Sequence, residues 1–211
     1  MPTMWRSGRT VELLKAYNEC PHVDEIILIN NDQKNTPELP EIDSMEKLCV
    51  TSFGSNMFVN PAWNYGMITA RNPHAIISND DISFDVNAVL EFMSDKEFDC
   101  VGVHPVGINS EDKHELEIVD GTHIGNGWGV LLFIKRITYK KIPNMLKIWF
   151  GDNWIQMTSP NAQSLILNLE TEMSVTSGSS EFTDVIRMDI SNWIRMNDLG
   201  RDAAGMASHL Y

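Results

Sequence analysis

The stretch HAIISNDDISFD, residues 74–85, decides how the chain is read. Ile76 and Ile77 sit at the centre of its first five residues, which predicts a buried strand over residues 74–78. Asn79-Asp80-Asp81 comes directly after it. Adjacent carboxylates at a strand end repel each other. Either a positive partner stands beside them or they point into water. Asp85 then precedes VNAVLEFMS and predicts an N-cap for a helix over residues 86–94.

Upstream, Asn60-Pro61 predicts a helix with Asn60 as N-cap and proline at the first helical position, running to about Ala70. EIILIN (25–30), stopped by Asn31-Asp32, reads as a buried strand, and LCVTSF (48–53) as another. Thr3 to Trp5 reads as a short first strand. Thr10 to Asn18 reads as a helix with Val11, Leu14 and Tyr17 on one face. Residues 33–47 are polar and proline-containing and read as a loop. Downstream, DCVGVH (99–104), WGVLLFI (128–134) and SLILNL (164–169) are strand candidates, and HELEIVD (114–120) alternates as a half-exposed strand does. A last amphipathic helix is predicted from Thr183 to Leu199, with Ile186, Ile190, Trp193, Ile194 and Asn197 along one side.

Strands alternate with helices through the first half, which predicts an α/β fold with a mainly parallel sheet. The second half is richer in strands and loops. The 211 residues suit one domain, with a nucleotide-type half at about residues 1–105 and a more variable half at about 106–211. The tail from Ala203 to Tyr211 carries no cap or charge cluster, so the chain is expected to be a domain cut from a longer protein.

Twenty-nine acids against 16 bases give a net charge of −13. Such a surface repels nucleic acid, and no basic stripe with interleaved aromatics relieves it. A nucleotide would need a local cation or a metal. Cys20, Cys49 and Cys100 are scattered and odd in number, which fits a reduced, cytoplasmic protein rather than a disulfide scaffold or zinc site. No stretch is long and apolar enough to span a membrane, and MPTMWRSGRT lacks the apolar core of a signal peptide.

In an open α/β sheet, ligands gather outside the carboxyl ends of the strands. Asn31-Asp32 and Asn79-Asp80-Asp81 both stand there. A divalent ion held by one or two carboxylates plus substrate phosphates would resolve the repulsion; a solvated turn would resolve it too. In WFGDNW (149–154), Asp152 sits among large apolar residues, where a carboxyl is raised in pKa and can act as a base. Its alternative is an N-cap for a helix starting near Asn153. Gly125, Gly127 and Gly129 in HIGNGWGVLLFIKR (123–136) precede a strand-like run, so they form no dinucleotide fingerprint, and there is no Walker A lysine. Trp128 reads as a stacking platform for a sugar or as a core tryptophan. No GxSxG or HExxH motif occurs.

The order PTMWRSGR, EIILINND, NPAWNYGMITARNPHAIISNDDISFD, GNGWGVLLFIKR, FGDNW resembles the GT-A glycosyltransferases, in particular small inverting enzymes of family 2 and, within them, chlorella virus enzymes that build a capsid glycan. The resemblance spans about residues 2–155. It implies a metal-dependent transfer of a sugar from a nucleotide diphosphate sugar, usually a UDP-sugar, to a hydroxyl of a glycan or glycoprotein acceptor. It implies that Asp81, in the DxD position, binds manganese or magnesium and that Asp80 contacts ribose or the ion's water shell. Asn79 replaces the first acid of that motif. Thr3, Trp5, Arg9 and Asp32 are implied to hold the nucleotide, and Asn60, Trp63 and Asn64 to cover it. Asp152 is implied to be the base. Gly127, Trp128 and Trp154 would shape the sugar and acceptor side. The late histidine ligand of some members has no counterpart in ETEMSVTSGSS (170–180). Two rivals are a sugar-phosphate nucleotidyltransferase, for which PTMWRSGR is a poor basic glycine loop, and a non-catalytic sugar- or nucleotide-binding module.

Overall fold

A computed structural model describes all residues except 39, 122–126, 173–179 and 209–211, and the side chains of 180 and 199–208. The first half runs β1 (Pro2–Thr3), α1 (Thr10–Glu19), β2 (Ile26–Asn30), α2 (Pro40–Asp43), β3 (Leu48–Ser52), α3 (Val59–Thr69), β4 (His74–Ser78), β5 (Ile82–Ser83), α4 (Val86–Ser94) and β6 (Cys100–Val103). The second runs β7 (Glu117–Asp120), β8 (Leu131–Lys135), α5 (Gly151–Thr158), β9 (Ala162–Ile166), β10 (Glu170–Thr171) and α6 (Thr183–Ser208).

The fold is a mixed α/β structure. Strands β1, β2 and β3 pair in parallel, with β2 in the middle. Five strands form the order β4-β8-β6-β9-β7. There β8 runs antiparallel between β4 and β6, β9 is parallel to β6, and β7 is antiparallel at the edge. The parallel pattern therefore holds for β1, β2 and β3 and for the β6–β9 pair, while β4 and β5 pair only antiparallel. It is broken where the apolar run at 131–135 enters in the reverse direction.

Side chains alternate along a strand, and β8 shows what that does. Leu131 and Phe133 join Val101, Val103 and Leu165 against Leu13, Leu14 and Tyr17 of α1 and Val89, Leu90 and Met93 of α4. Leu132 and Ile134 face the other way, with Ile77, against Trp63 and Met67 of α3 and Ile155 of α5. Trp193 and Met196 of α6 pack on this second cluster. Each fully buried aliphatic or aromatic side chain stabilises the fold by about 1.5–3 kcal/mol, and helices on both faces make that burial possible.

Asp85 caps α4 as its sequence predicts, accepting from the Ala88 N–H at 3.0 Å. The start of α3 is a correction. Phe58, at φ 66°, holds the cap position, and Asn60 lies inside the first turn with its N–H on the Lys147 carbonyl. Pro61 is tolerated at the third helical position, two later than expected, because N–H groups of a first turn lack intrahelical partners anyway. Residues 33–47 are not all loop: Pro40–Asp43 forms one helical turn that buries Ile42. On α6, Ile194 is 55% exposed, and Asp189 lies on the buried side with Ile186.

A cavity of about 340 Å³ separates β2 from β4, lined by Ile27, Ile29, Trp63, Met67, Ala75 and Ile77 among others. None of Asp80, Asp81 or Asp152 reaches it.

Candidate active site

The chemistry converges on a smaller cavity of about 190 Å³ at the carboxyl ends of three strands. Thr3 and Met4 come from the end of β1, Asn31 from the end of β2, and Asn79, Asp80 and Asp81 from the end of β4. Arg6, Ser7, Asn56, Phe58, Ile148 and Phe182 complete the wall. Size favours the larger cavity, but of its two acids, Asp24 and Glu25, the second is already bonded to Arg71, and none of the strand-end carboxylates lies there, so the smaller one is the candidate site.

Asp80 is tied to the first strand. Thr3 Oγ1 donates to its Oδ2, and Thr10 Oγ1 donates to its backbone carbonyl at 3.2 Å. Thr3 is itself 2% exposed. Burial still raises the Asp80 pKa above the ordinary carboxylate value, against the pull of these hydroxyls. Asp81 is raised too, by burial first and then by the negative charge of Asp80, with Arg9 opposing. Both carboxylates are partly buried, where their charge is costly.

The nearest guanidinium is already engaged. Arg9 pairs with Glu170 at 3.0 Å through Nη2 and with Glu172 at 3.4 Å through Nε, while its Nη1 is buried without a partner among the described residues. These acids arrive because β10 pairs antiparallel with β5, and the Glu172 N–H donates to the Asp81 carbonyl at 3.0 Å. Ser7 Oγ donates to Glu172 at 2.6 Å, and Arg6 pairs with Glu181 at 2.8 Å.

Among the described residues no group of three or more metal-binding side chains is arranged around one point. The donor set nonetheless fits a hard cation. Two partly buried oxygen ligands with raised pKa values suit a magnesium- or manganese-like ion that takes its remaining ligands from water and phosphate.

Asp152 lies in the first turn of α5, not at its cap; Phe150 holds the cap position at φ 64°. Burial raises the Asp152 pKa, and the Asn153 N–H, bonded to Oδ1 at 2.9 Å, opposes this. Asp152 packs directly on Gly129: a Cβ there would stand 2.6 Å from the Asp152 Cβ. The next residue, Val130, accepts the Asn79 N–H at 2.9 Å. One short path thus joins the acidic motif at the end of β4 to the carboxyl in FGDNW.

The remaining sequence candidates divide. Trp5, at φ 58°, donates its indole N–H to Asn30 at 3.1 Å, beside the cavity wall. Asp32 accepts from Asn35 at 2.7 Å, and that bond is the first cause of its lowered pKa. Asn60 is fully buried and donates to the Trp149 carbonyl at 3.0 Å. Asn64 is buried and bonds Ile142 and Tyr139. Trp63 is a core residue on the larger cavity. Neither Asn64 nor Trp63 lines the acidic cavity.

Trp128 corrects the stacking-platform alternative. It is fully buried, donates to the Gln163 carbonyl at 3.0 Å and packs on Gly102. Gly127 takes the left-handed conformation, φ 87°, ahead of it. Trp154 donates to the Lys140 carbonyl at 3.2 Å and is partly buried on the second core cluster. Gly125 and His123 lie outside the described residues, as does most of ETEMSVTSGSS.

Sequence reasoning missed Ile148 and Phe182, which carry no motif, and Asp189, which its heptad-like neighbours conceal. Glu170 and Glu172 are visible in the sequence as a spaced glutamate pair, and only the fold brings them to Arg9.

No family model matches the chain, and no curated protein matches it in sequence. Solved structures do match in fold. Mannosyltransferase PcManGT from Pyrobaculum calidifontis, in complex with GDP-Man and Mn2+, aligns at TM-score 0.59 and 13% identity over 92% of this chain and 62% of that one. Residues 1–349 of S. aureus TarS, in complex with UDP-GlcNAc, align at TM-score 0.58 and 11% identity over 89% and 63%. GalNAc-T7, with UDP, GalNAc and Mn2+, aligns at 0.52 and 13% over 70% and 37%. The chain has the GT-A fold of these glycosyltransferases, and it spans less than two thirds of the length of each.

Proposed function

We propose that this protein is a metal-dependent glycosyltransferase that moves a sugar from a nucleotide diphosphate sugar, a UDP-sugar, to a hydroxyl of a glycan acceptor. One observation carries the reading. Asp80 and Asp81 share a cavity with Thr3, Arg6 and Ser7 at the carboxyl ends of β1 and β4, and both carboxylates are held above their ordinary pKa. A site that keeps two like charges partly buried is suited to a bound cation.

Asp81 would hold manganese or magnesium, with Asp80 on its water shell or the ribose. When bound, the ion neutralises charge on the leaving diphosphate. Thr3 fixes the Asp80 carboxylate. Trp5, Arg9 and Asp32, which do not line the cavity, would hold the nucleotide end, and the buried Arg9 Nη1 is a donor that an anionic group would satisfy. Asp152 takes the acceptor proton as the hydroxyl attacks the anomeric carbon. Attack opposite the diphosphate inverts the anomeric centre. Burial raises the Asp152 pKa, which makes its carboxylate a better proton acceptor than an exposed aspartate.

The resemblance of the motif order supports a viral capsid glycoprotein as the acceptor and the host cytoplasm as the setting. The likeness of fold to structures that hold UDP-GlcNAc, GDP-Man or UDP supports the donor class without selecting the sugar. The test is release of UDP from a panel of UDP-sugars with Mn2+ and a glycan mixture, in wild type and Asp152→Asn. Asp152→Asn at full rate would remove the base assignment.

A further inference from the structure

Asp189 is fully buried in α6, and it forms no ion pair among the described residues. It accepts three consecutive backbone N–H groups: Lys147 at 2.8 Å on Oδ1, and Ile148 at 2.7 Å and Trp149 at 2.9 Å on Oδ2. The carbonyls of the same segment are held from the opposite side by one residue of α3. Asn60 N–H donates to the Lys147 carbonyl at 2.9 Å, and Asn60 Nδ2 donates to the Trp149 carbonyl at 3.0 Å. Residues 147–149 are thus gripped by their amides and by their carbonyls.

This segment leads straight to the reacting carboxyl. Phe150 turns the chain at φ 64° and stacks on Trp193 of α6, centroids 5.0 Å apart and planes 4° apart. Gly151 comes next, and a Cβ on it would stand 2.0 Å from Asn60 Oδ1. Asp152 is then set against Gly129. Ile148, in the gripped segment, also lines the cavity that contains Asp80 and Asp81. One carboxylate on the last helix therefore fixes both a wall of the donor cavity and the lead-in to Asp152.

We propose that Asp189 is a positioning residue for Asp152, acting through the amides of residues 147–149; this rests on Asp152 as the base. A buried carboxylate is an economical way to hold three amides, because it offers several acceptor positions and no donor. Asparagine at 189 would turn an NH2 group towards N–H groups and free part of the segment. A displacement of about 1 Å in a catalytic group can cost about a hundredfold in rate.

The test reads Asp152 directly. Protein labelled with 13C at aspartate carboxyls is titrated by NMR as wild type, Asp189→Asn and Ile186→Ala. Ile186 is buried on α6 and has no part in the amide grip, so it controls for loosened packing. Asp189→Asn is expected to lower the Asp152 midpoint towards the ordinary carboxylate range, as water reaches the loosened turn, while Ile186→Ala leaves it in place. Asn60→Ser, which removes the donor to Trp149, is expected to shift it the same way and serves if Asp189→Asn does not fold. An Asp152 midpoint unchanged in both variants, or moved equally by Ile186→Ala, overturns the proposal.

UDP release supplies the kinetic arm. Asp189→Asn is expected to lose about a hundredfold in kcat, and Asp152→Asn/Asp189→Asn to be no slower than Asp152→Asn alone. Full additivity would contradict action through Asp152. If Asp152→Asn keeps full turnover, the base assignment fails by itself, and the NMR titration still decides whether Asp189 sets the surroundings of Asp152.

Discussion

Asp152 and Gly129 are in contact so close that the glycine has no room for a side chain: its Cβ would stand 2.6 Å from the Asp152 Cβ and 3.0 Å from Oδ2. Neither residue is near the other in sequence. The contact seats a partly buried carboxyl beside the start of β8, whose preceding residue is bonded to Asn79 of the acidic motif.

Gly129→Ala should therefore act on the reaction as well as on stability. Inserting a methyl group into a filled contact costs about 1–3 kcal/mol, and here relief can come only by moving Asp152. The expected result is a folded protein with a lowered melting temperature and a kcat that falls more than UDP affinity does. UDP-release kinetics with calorimetry for UDP check this.

Asp152→Asn should lose about 10²- to 10⁴-fold in kcat and gain stability at neutral pH. The sign is set by the raised folded-state pKa. The folded protein holds this proton more tightly than the unfolded chain does. The stability linked to it is complete below the unfolded value, about 3.9, and is lost as pH rises through the folded value. Asparagine does not titrate. Its advantage in melting temperature should be absent near pH 3.5, grow with pH, and level off above the folded value. Thermal melts across that range check it, and a constant offset would contradict it.

Thr3→Val keeps the shape of a fully buried side chain but removes the donor to Asp80. Leaving a buried acceptor short of a partner costs about 1–3 kcal/mol. The hydroxyl stabilises the charged form of Asp80, so the loss should be larger above its raised folded-state pKa and smaller in acid. Denaturant unfolding at two pH values measures it.

Most of the scaffold was legible because local rules and tertiary packing agreed. The runs around Ile26–Asn30, His74–Ser78 and Leu131–Lys135 are β-branched or apolar between turn residues, and Asp85 is a good cap. The acidic cavity could be located because strand ends in such a sheet are where ligands bind. The reversed direction of β8 could not be read, since an apolar run does not state its orientation. Asn60 looked like a cap because its N-cap preference is real; its amide instead serves the distant Trp149 carbonyl. Trp128 looked available for a sugar because glycines flank it, but the distant Gly102 makes room for its buried indole, and the flanking Gly129 makes room for the Asp152 carboxyl. Asp189 was hidden for the opposite reason: a charged residue on an amphipathic helix is normally solvated, and only the fold brings three amides to it.

The central claim is that Asp80 and Asp81 form a cation site for a nucleotide diphosphate. Calorimetric titration of UDP into wild type and Asp81→Ala, each with and without Mn2+ and with GDP as a control, tests it most directly. The account predicts UDP binding that requires Mn2+ and weakens at least about tenfold in Asp81→Ala, the loss of about 1.4 kcal/mol or more. UDP binding that is independent of metal and unchanged by Asp81→Ala would contradict it, as would no nucleotide binding at all.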